Sequence, residues 1–197
     1  MTETKEFRAS LPVEVRAADE NGIKVAGYAA VFDEWADIGG YFQERIMPGV
    51  FEGRLEDDVQ FLVDHRGLPL ARNSAGNLSL SVDERGLAVS ATLPAKSPTA
   101  QDVAALLEAG TLSRMSFAFT VAKGGDEWDE SGPVPRRSIH KLKRLYDVSV
   151  VSDPAYAGTE IGLRSLEAAR AALTAGNPQK QARARRMRMD LALAGLS

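Results

Sequence analysis

The sequence predicts a mainly β (α+β) fold, a closed or partly closed β-barrel with flanking helices, followed by a basic helical tail. Three observations carry this. Short apolar or alternating runs recur as far as Val151, each bounded by Gly, Pro, Asn or Asp. Within that stretch only Ser97 to Gly110 has helix punctuation at both ends. After Gly162 the composition shifts to Ala, Leu and Arg. Many short strands need their edges protected, and closure into a barrel is one solution. The expected division is a body at residues 1–162 and a tail at 163–197.

The elements follow in chain order. Val13-Glu14-Val15-Arg16 alternates, Asn21-Gly22 is a hairpin signal, and Ile23 to Phe32 resumes a largely apolar run. Gly39-Gly40 and Pro48-Gly49 mark loops on either side of Tyr41 to Ile46. Val59 to Asp64 reads as a buried strand that delivers His65 at its end, where Arg66-Gly67 breaks the run. Leu78 to Val82 alternates, turns at Asp83-Glu84-Arg85-Gly86 and returns as Leu87 to Leu93, a hairpin with one wet face. Ser97 suits a helix N-cap and Pro98 the first helical position. Val103, Leu106 and Leu107 form the apolar stripe of that helix, and Gly110 stops it. Ser113 to Phe119 is a strand of alternating large and small residues. Gly124 to Pro135 is an acidic loop, and Ser138 to Leu142 and Leu145 to Val151 close the body as strands. Beyond it, Leu163 to Ala175 and Gln179 to Leu193 are expected to be helical or partly disordered, separated by Gly176-Asn177-Pro178.

Composition narrows the chemistry. The 197 residues include no cysteine, which excludes disulfides, thiolate nucleophiles and cysteine-held zinc. The polar start is no secretory signal, and no apolar run reaches the length of a membrane span, so a soluble, non-exported protein is expected. The net charge of −3 is uneven. From Arg164 onward lie seven of the 24 Lys and Arg but only two of the 27 Asp and Glu, leaving a body with 17 basic and 25 acidic residues. A basic tail on an acidic body implies an acidic partner for the tail. Arg183-Ala184-Arg185-Arg186-Met187-Arg188 lacks interleaved aromatics, so a specific nucleic-acid site is not expected and a protein contact is favoured.

With no thiol, covalent catalysis needs a hydroxyl nucleophile and a base, and imidazole is the usual base near neutral pH. The chain has two histidines. His65 ends a buried run, and Ser116 lies 51 residues on in a strand, so the two are the candidate base and nucleophile. Asp147, a carboxylate inside the apolar strand Leu145 to Val151, asks for a partner and is the candidate that orients the imidazole. His140 is the other candidate for that role. The bland readings stand beside these: His65 as a boundary residue, Ser116 as a small strand residue, Asp147 paired with Lys141, Lys143 or Arg144. No G-x-S-x-G elbow, phosphate loop, His-x-x-x-His or calcium-loop pattern occurs, so no cofactor and no metal are expected.

Taken in order, Gly27-Tyr28-Ala29-Ala30-Val31-Phe32, Glu44 to Phe51, the His65 segment, Leu70-Ala71-Arg72, Leu112 to Phe119 and Tyr146 to Tyr156 resemble the prohead (capsid maturation) proteases of tailed bacteriophages. That family is held to be related to the herpesvirus assembly proteases, whose fold is a β-barrel surrounded by helices. The resemblance implies a serine endopeptidase in the host cytoplasm, enclosed in the immature capsid. It would cut scaffold or the scaffold-like segment of the major capsid protein, a step that in such proteases often comes with self-cleavage; homo-oligomerisation is open and no membrane is involved. His65 matches the family histidine and Ser116 the family serine. Asp147 stands where the family pattern shows glutamate, one methylene longer, and the herpesvirus relatives use a histidine there, which keeps His140 in view. Arg136-Arg137 resembles an arginine pair near the oxyanion site of the viral relatives. The competing reading is a non-catalytic β-barrel that binds scaffold or assists capsid assembly.

Overall fold

The β-rich body is built from twelve strands and one α-helix, described in a computed structural model for residues 5–19 and 22–152. The expected tail and its boundary at residue 162 lie outside the described residues. In chain order the strands are β1 (Glu6–Asp19), β2 (Gly22–Val31), β3 (Ala36–Ile38), β4 (Phe42–Ile46), β5 (Gln60–Val63), β6 (Arg66–Arg72), β7 (Leu78–Val82) and β8 (Gly86–Leu93). Helix α1 (Pro98–Glu108) is followed by β9 (Arg114–Val121), β10 (Asp126–Asp129), β11 (Arg136–Ile139) and β12 (Leu142–Val151).

An eight-stranded sheet runs in the order β6-β5-β12-β9-β1-β2-β8-β7, and a four-stranded sheet in the order β10-β11-β4-β3. The mainly β expectation holds, and no closed barrel forms among the described residues. Closure requires the outermost strands β6 and β7 to be hydrogen-bonded to each other, and they stand at opposite ends of an open ladder. Pro69 within β6 has no N–H to offer, which suits it to an edge. The flanking helices reduce to α1 among the described residues.

Helix α1 begins as its sequence dictates, with the Ser97 hydroxyl accepting from the Ala100 N–H at 3.4 Å and Pro98 at the first position. Its buried stripe is Ala100, Val103, Ala104 and Leu107, spaced i, i+3, i+4, i+7. Leu106, expected in that stripe, is 40% exposed because it falls one position off this arc. Between β2 and β8 the backbones approach so closely that a Cβ on Gly86 would sit 2.0 Å from the Ala30 carbonyl oxygen.

β9 and β1 each present two different faces. On β9, Phe117 and Phe119 are buried and stacked at 4.8 Å, with Phe51 against Phe117 at 5.7 Å. Alternation places Ser116 and Ala118 on the opposite face of the same strand. On β1, Arg8 pairs in register with Phe117 and Phe7 with Ala118, so the face that carries Arg8 faces the aromatic core. There Glu6 and Arg8 join Glu44 of β4 and Arg137 of β11 in a buried ion network. Arg8 donates to Glu44 and Glu6, and Arg137 Nη1 donates to Glu6 at 2.6 Å and Glu44 at 2.9 Å. Arg137 Nε reaches Asp126 at 2.8 Å. Together these bonds tie the small sheet to the large one through charges that would be costly to bury unpaired.

Candidate active site

Two neighbouring strands, β9 and β12, carry the hydroxyl and the carboxylate. Ser116, 3% exposed on β9, pairs with Ala9 of β1 on one side and Ser149 of β12 on the other. Asp147 lies two residues before Ser149, so the period-two alternation of β12 puts both on the Ser116 face. Their contact shows it: Ser149 Oγ donates to Asp147 Oδ1 at 3.0 Å.

His65 reaches this face from a turn rather than from a strand end. β5 runs parallel beside β12, and Val63 pairs with Arg66 across a two-residue hairpin made of Asp64 and His65. Both turn residues have positive φ, 47° and 57°. A two-residue hairpin of the mirrored type requires that geometry, and Asp and His are among the side chains that tolerate it best. Asp64 also fixes the turn: its carboxylate accepts from the Ser152 N–H at 2.8 Å and from the Ser152 hydroxyl at 3.0 Å. The Asp64 N–H donates to the Val150 carbonyl at 2.9 Å, so the turn is tied to β12 twice.

From there the imidazole spans β12. Its Nδ1 lies 2.5 Å from Asp147 Oδ1 and its Nε2 lies 2.7 Å from Ser116 Oγ. The Phe7 ring packs on it at 4.5 Å between centroids. Asp147 is 2% exposed, and its other oxygen, Oδ2, accepts from Lys5 Nζ at 2.7 Å. Burial pushes the Asp147 carboxyl up, but the hydrogen bonds and charges of His65 and Lys5 outweigh that and hold it below its ordinary value. An ionised carboxylate only accepts, so the proton of the neutral ring sits on Nδ1. Nε2 is then bare and faces the Ser116 hydroxyl as an acceptor. The arrangement can take a proton from Ser116 and compensate the resulting imidazolium with a buried negative charge.

The other candidates lie elsewhere. His140 is exposed, 3.5 Å from Glu127. Arg136 stands over the Trp35 ring and donates to Gln43, while the Arg137 guanidinium is committed to Glu6, Glu44 and Asp126. The described partners of Asp147 are His65, Ser149 and Lys5 rather than the basic residues of its own strand. Among the described residues no group of three or more His, Cys, Asp or Glu is placed to hold a metal ion, and no helix is long and apolar enough to cross a membrane.

Lys5, Phe7 and Ser149 are site residues that the sequence did not single out. Ser149 was legible, since a polar residue two places from Asp147 in an apolar strand must share its face. Lys5 and Phe7 gave no signal, because their role depends on β1 lying beside β9.

The family described as caudovirus prohead serine protease matches residues 11–172. The prohead protease of Enterobacteria phage HK97 is 32% identical over 135 residues, a stretch that is 66% of this chain and 54% of that protein. The chain thus spans about half the length of the curated relative it matches. No solved structure matches it.

Proposed function

The chain belongs to the caudovirus prohead serine protease family, and on that premise we propose that it is a serine endopeptidase of capsid maturation. Its substrates are the scaffold or the scaffold-like segment of the major capsid protein inside the immature capsid, with self-cleavage as a further step. The observation that carries this reading is the unbroken contact from Ser116 Oγ through both His65 nitrogens to Asp147.

In this mechanism Ser116 Oγ attacks a peptide carbonyl as His65 Nε2 takes its proton. Asp147 holds the ring in the required tautomer and stabilises the imidazolium. The imidazolium then gives its proton to the leaving amine, which departs as the tetrahedral intermediate collapses to an acyl ester on Ser116. Water, deprotonated by His65, releases the acid and restores the hydroxyl. The basic stretch from Arg164 onward serves in this proposal as an arm that docks on acidic scaffold; packaging into proheads should fall when it is deleted.

The test is co-expression with the capsid protein, comparing wild type with Ser116→Ala by intact mass. Wild type should shorten the capsid protein and Ser116→Ala should leave it whole. Equal processing by both, or none by wild type within assembled proheads, would leave the non-catalytic assembly reading in its place.

A further inference from the structure

The start of β1 reaches into the catalytic face at one point. Lys5 Nζ donates to Asp147 Oδ2 at 2.7 Å and lies 5.4 Å from the centre of the Phe7 ring and 5.0 Å from that of Tyr146. The two oxygens of Asp147 are thereby divided, with Oδ2 held by Lys5 and Oδ1 turned to His65 and Ser149. Phe7, two residues on, covers the imidazole itself. The intervening Glu6 and the next residue, Arg8, are locked in the buried ion network on the opposite face of the strand. Alternation thus anchors β1 from below while Lys5 and Phe7 act above.

We infer that Lys5 is a positioning residue for the proposed proteolysis, acting through Asp147 rather than on the substrate. This inference rests on the protease reading of the site. A carboxylate that accepts from only one side can rotate about its Cβ–Cγ bond and share its charge among donors. A fixed ammonium on Oδ2 leaves Oδ1 as the acceptor for Nδ1–H, which keeps Nε2 aimed at Ser116. The same cation helps hold the Asp147 carboxylate ionised as the medium becomes acidic, through its hydrogen bond and its charge. Lys5 therefore extends the active form of the site to lower pH.

The inference predicts a change confined to the acidic side of the pH profile, which a purely structural lysine would not produce. The experiment uses the full chain as wild type, Lys5→Met and Lys5→Arg. It measures Ser116 labelling by a fluorophosphonate between about pH 5 and 9, read by intact mass. Since the lysine is 37% exposed, solvent limits the effect. Lys5→Met should move the acidic limb up by about 0.3–0.7 pH unit, equal to roughly two- to fivefold slower labelling below the midpoint. The alkaline plateau should change less, Lys5→Arg should restore the limb, and melting temperatures report on folding. An unmoved limb overturns the inference, as does a uniform slowing at every pH that tracks a lowered melting temperature. Failure of wild type to label at Ser116 would instead refute the protease reading, and this inference with it.

Discussion

Asp147→Asn tests the site more sharply than removal of the nucleophile, because the structure dictates which way the new amide must face. The amide has one acceptor oxygen and one NH2 donor where the carboxylate has two acceptors. Lys5, at 2.7 Å from Oδ2, is an ammonium that donates and never accepts. Turning NH2 toward it sets donor against donor, so the amide oxygen turns to Lys5 and NH2 turns to His65 Nδ1. The imidazole must then carry its proton on Nε2, 2.7 Å from Ser116 Oγ, where it can no longer accept the serine proton. Loss of the correct tautomer in this type of site costs about 10^4 in kcat, equal to about 5.5 kcal/mol of transition-state stabilisation. The assay is turnover of a peptide spanning a processed junction, with fluorophosphonate labelling of Ser116 as a second readout. Adding Lys5→Met removes the bias on the amide, so the double variant should exceed Asp147→Asn alone in activity. An Asp147→Asn enzyme within about tenfold of wild type would refute the tautomer argument.

Three further outcomes follow from the packing. Arg137→Met leaves Glu6 and Glu44 buried with Arg8 as their shared partner, and should cost about 3–5 kcal/mol in urea unfolding. Stability should fall in acid. Burial raises the Glu6 carboxyl but Arg137 and Arg8 pull it below its ordinary value of 4.5, and Asp147 likewise sits below 3.8. Folded values below unfolded ones mean that this stabilisation is complete above those ordinary values and is lost as pH falls through the folded ones; Glu6→Gln should flatten the slope of unfolding free energy against pH. Asp64→Gly keeps the positive-φ turn but releases Ser152, so it should slow Ser116 labelling with little change in melting temperature. Asp64→Val adds a β-branched residue at that φ and should lose about 1–2 kcal/mol more.

Much of the architecture was legible because it is local. Ser97-Pro98 starts a helix in any context, the alternation of Ser116 to Phe119 separates a polar face from an aromatic one, and the Leu78–Leu93 hairpin follows from its turn residues. What escaped was weakly patterned. β3 has three residues, β6 carries Gly67 and Pro69, and β10 lies in the acidic loop expected between Gly124 and Pro135. β10 is a strand because it pairs with β11 across the loop, where Asp126 meets Arg137, and because Trp128 packs at 5.0 Å on Phe42, which is far from it in sequence. The open sheet escaped for the same reason, since strand composition says nothing about which edges meet.

By itself the sequence determined the residue types available for chemistry: no thiol, two imidazoles, a serine and an aspartate each inside a strand, and an order of short blocks that marks the family. Tertiary structure decided which of them work together. Ser149 and Lys5 joined Asp147, His140 and Arg137 were drawn to other partners, and the imidazole acquired its reach from a two-residue turn with positive φ at both positions. The physical reason is range. Alternation, capping and turn chemistry act over a few residues, whereas a hydrogen bond between residues 51 or 82 positions apart exists only once strand order brings their backbones side by side.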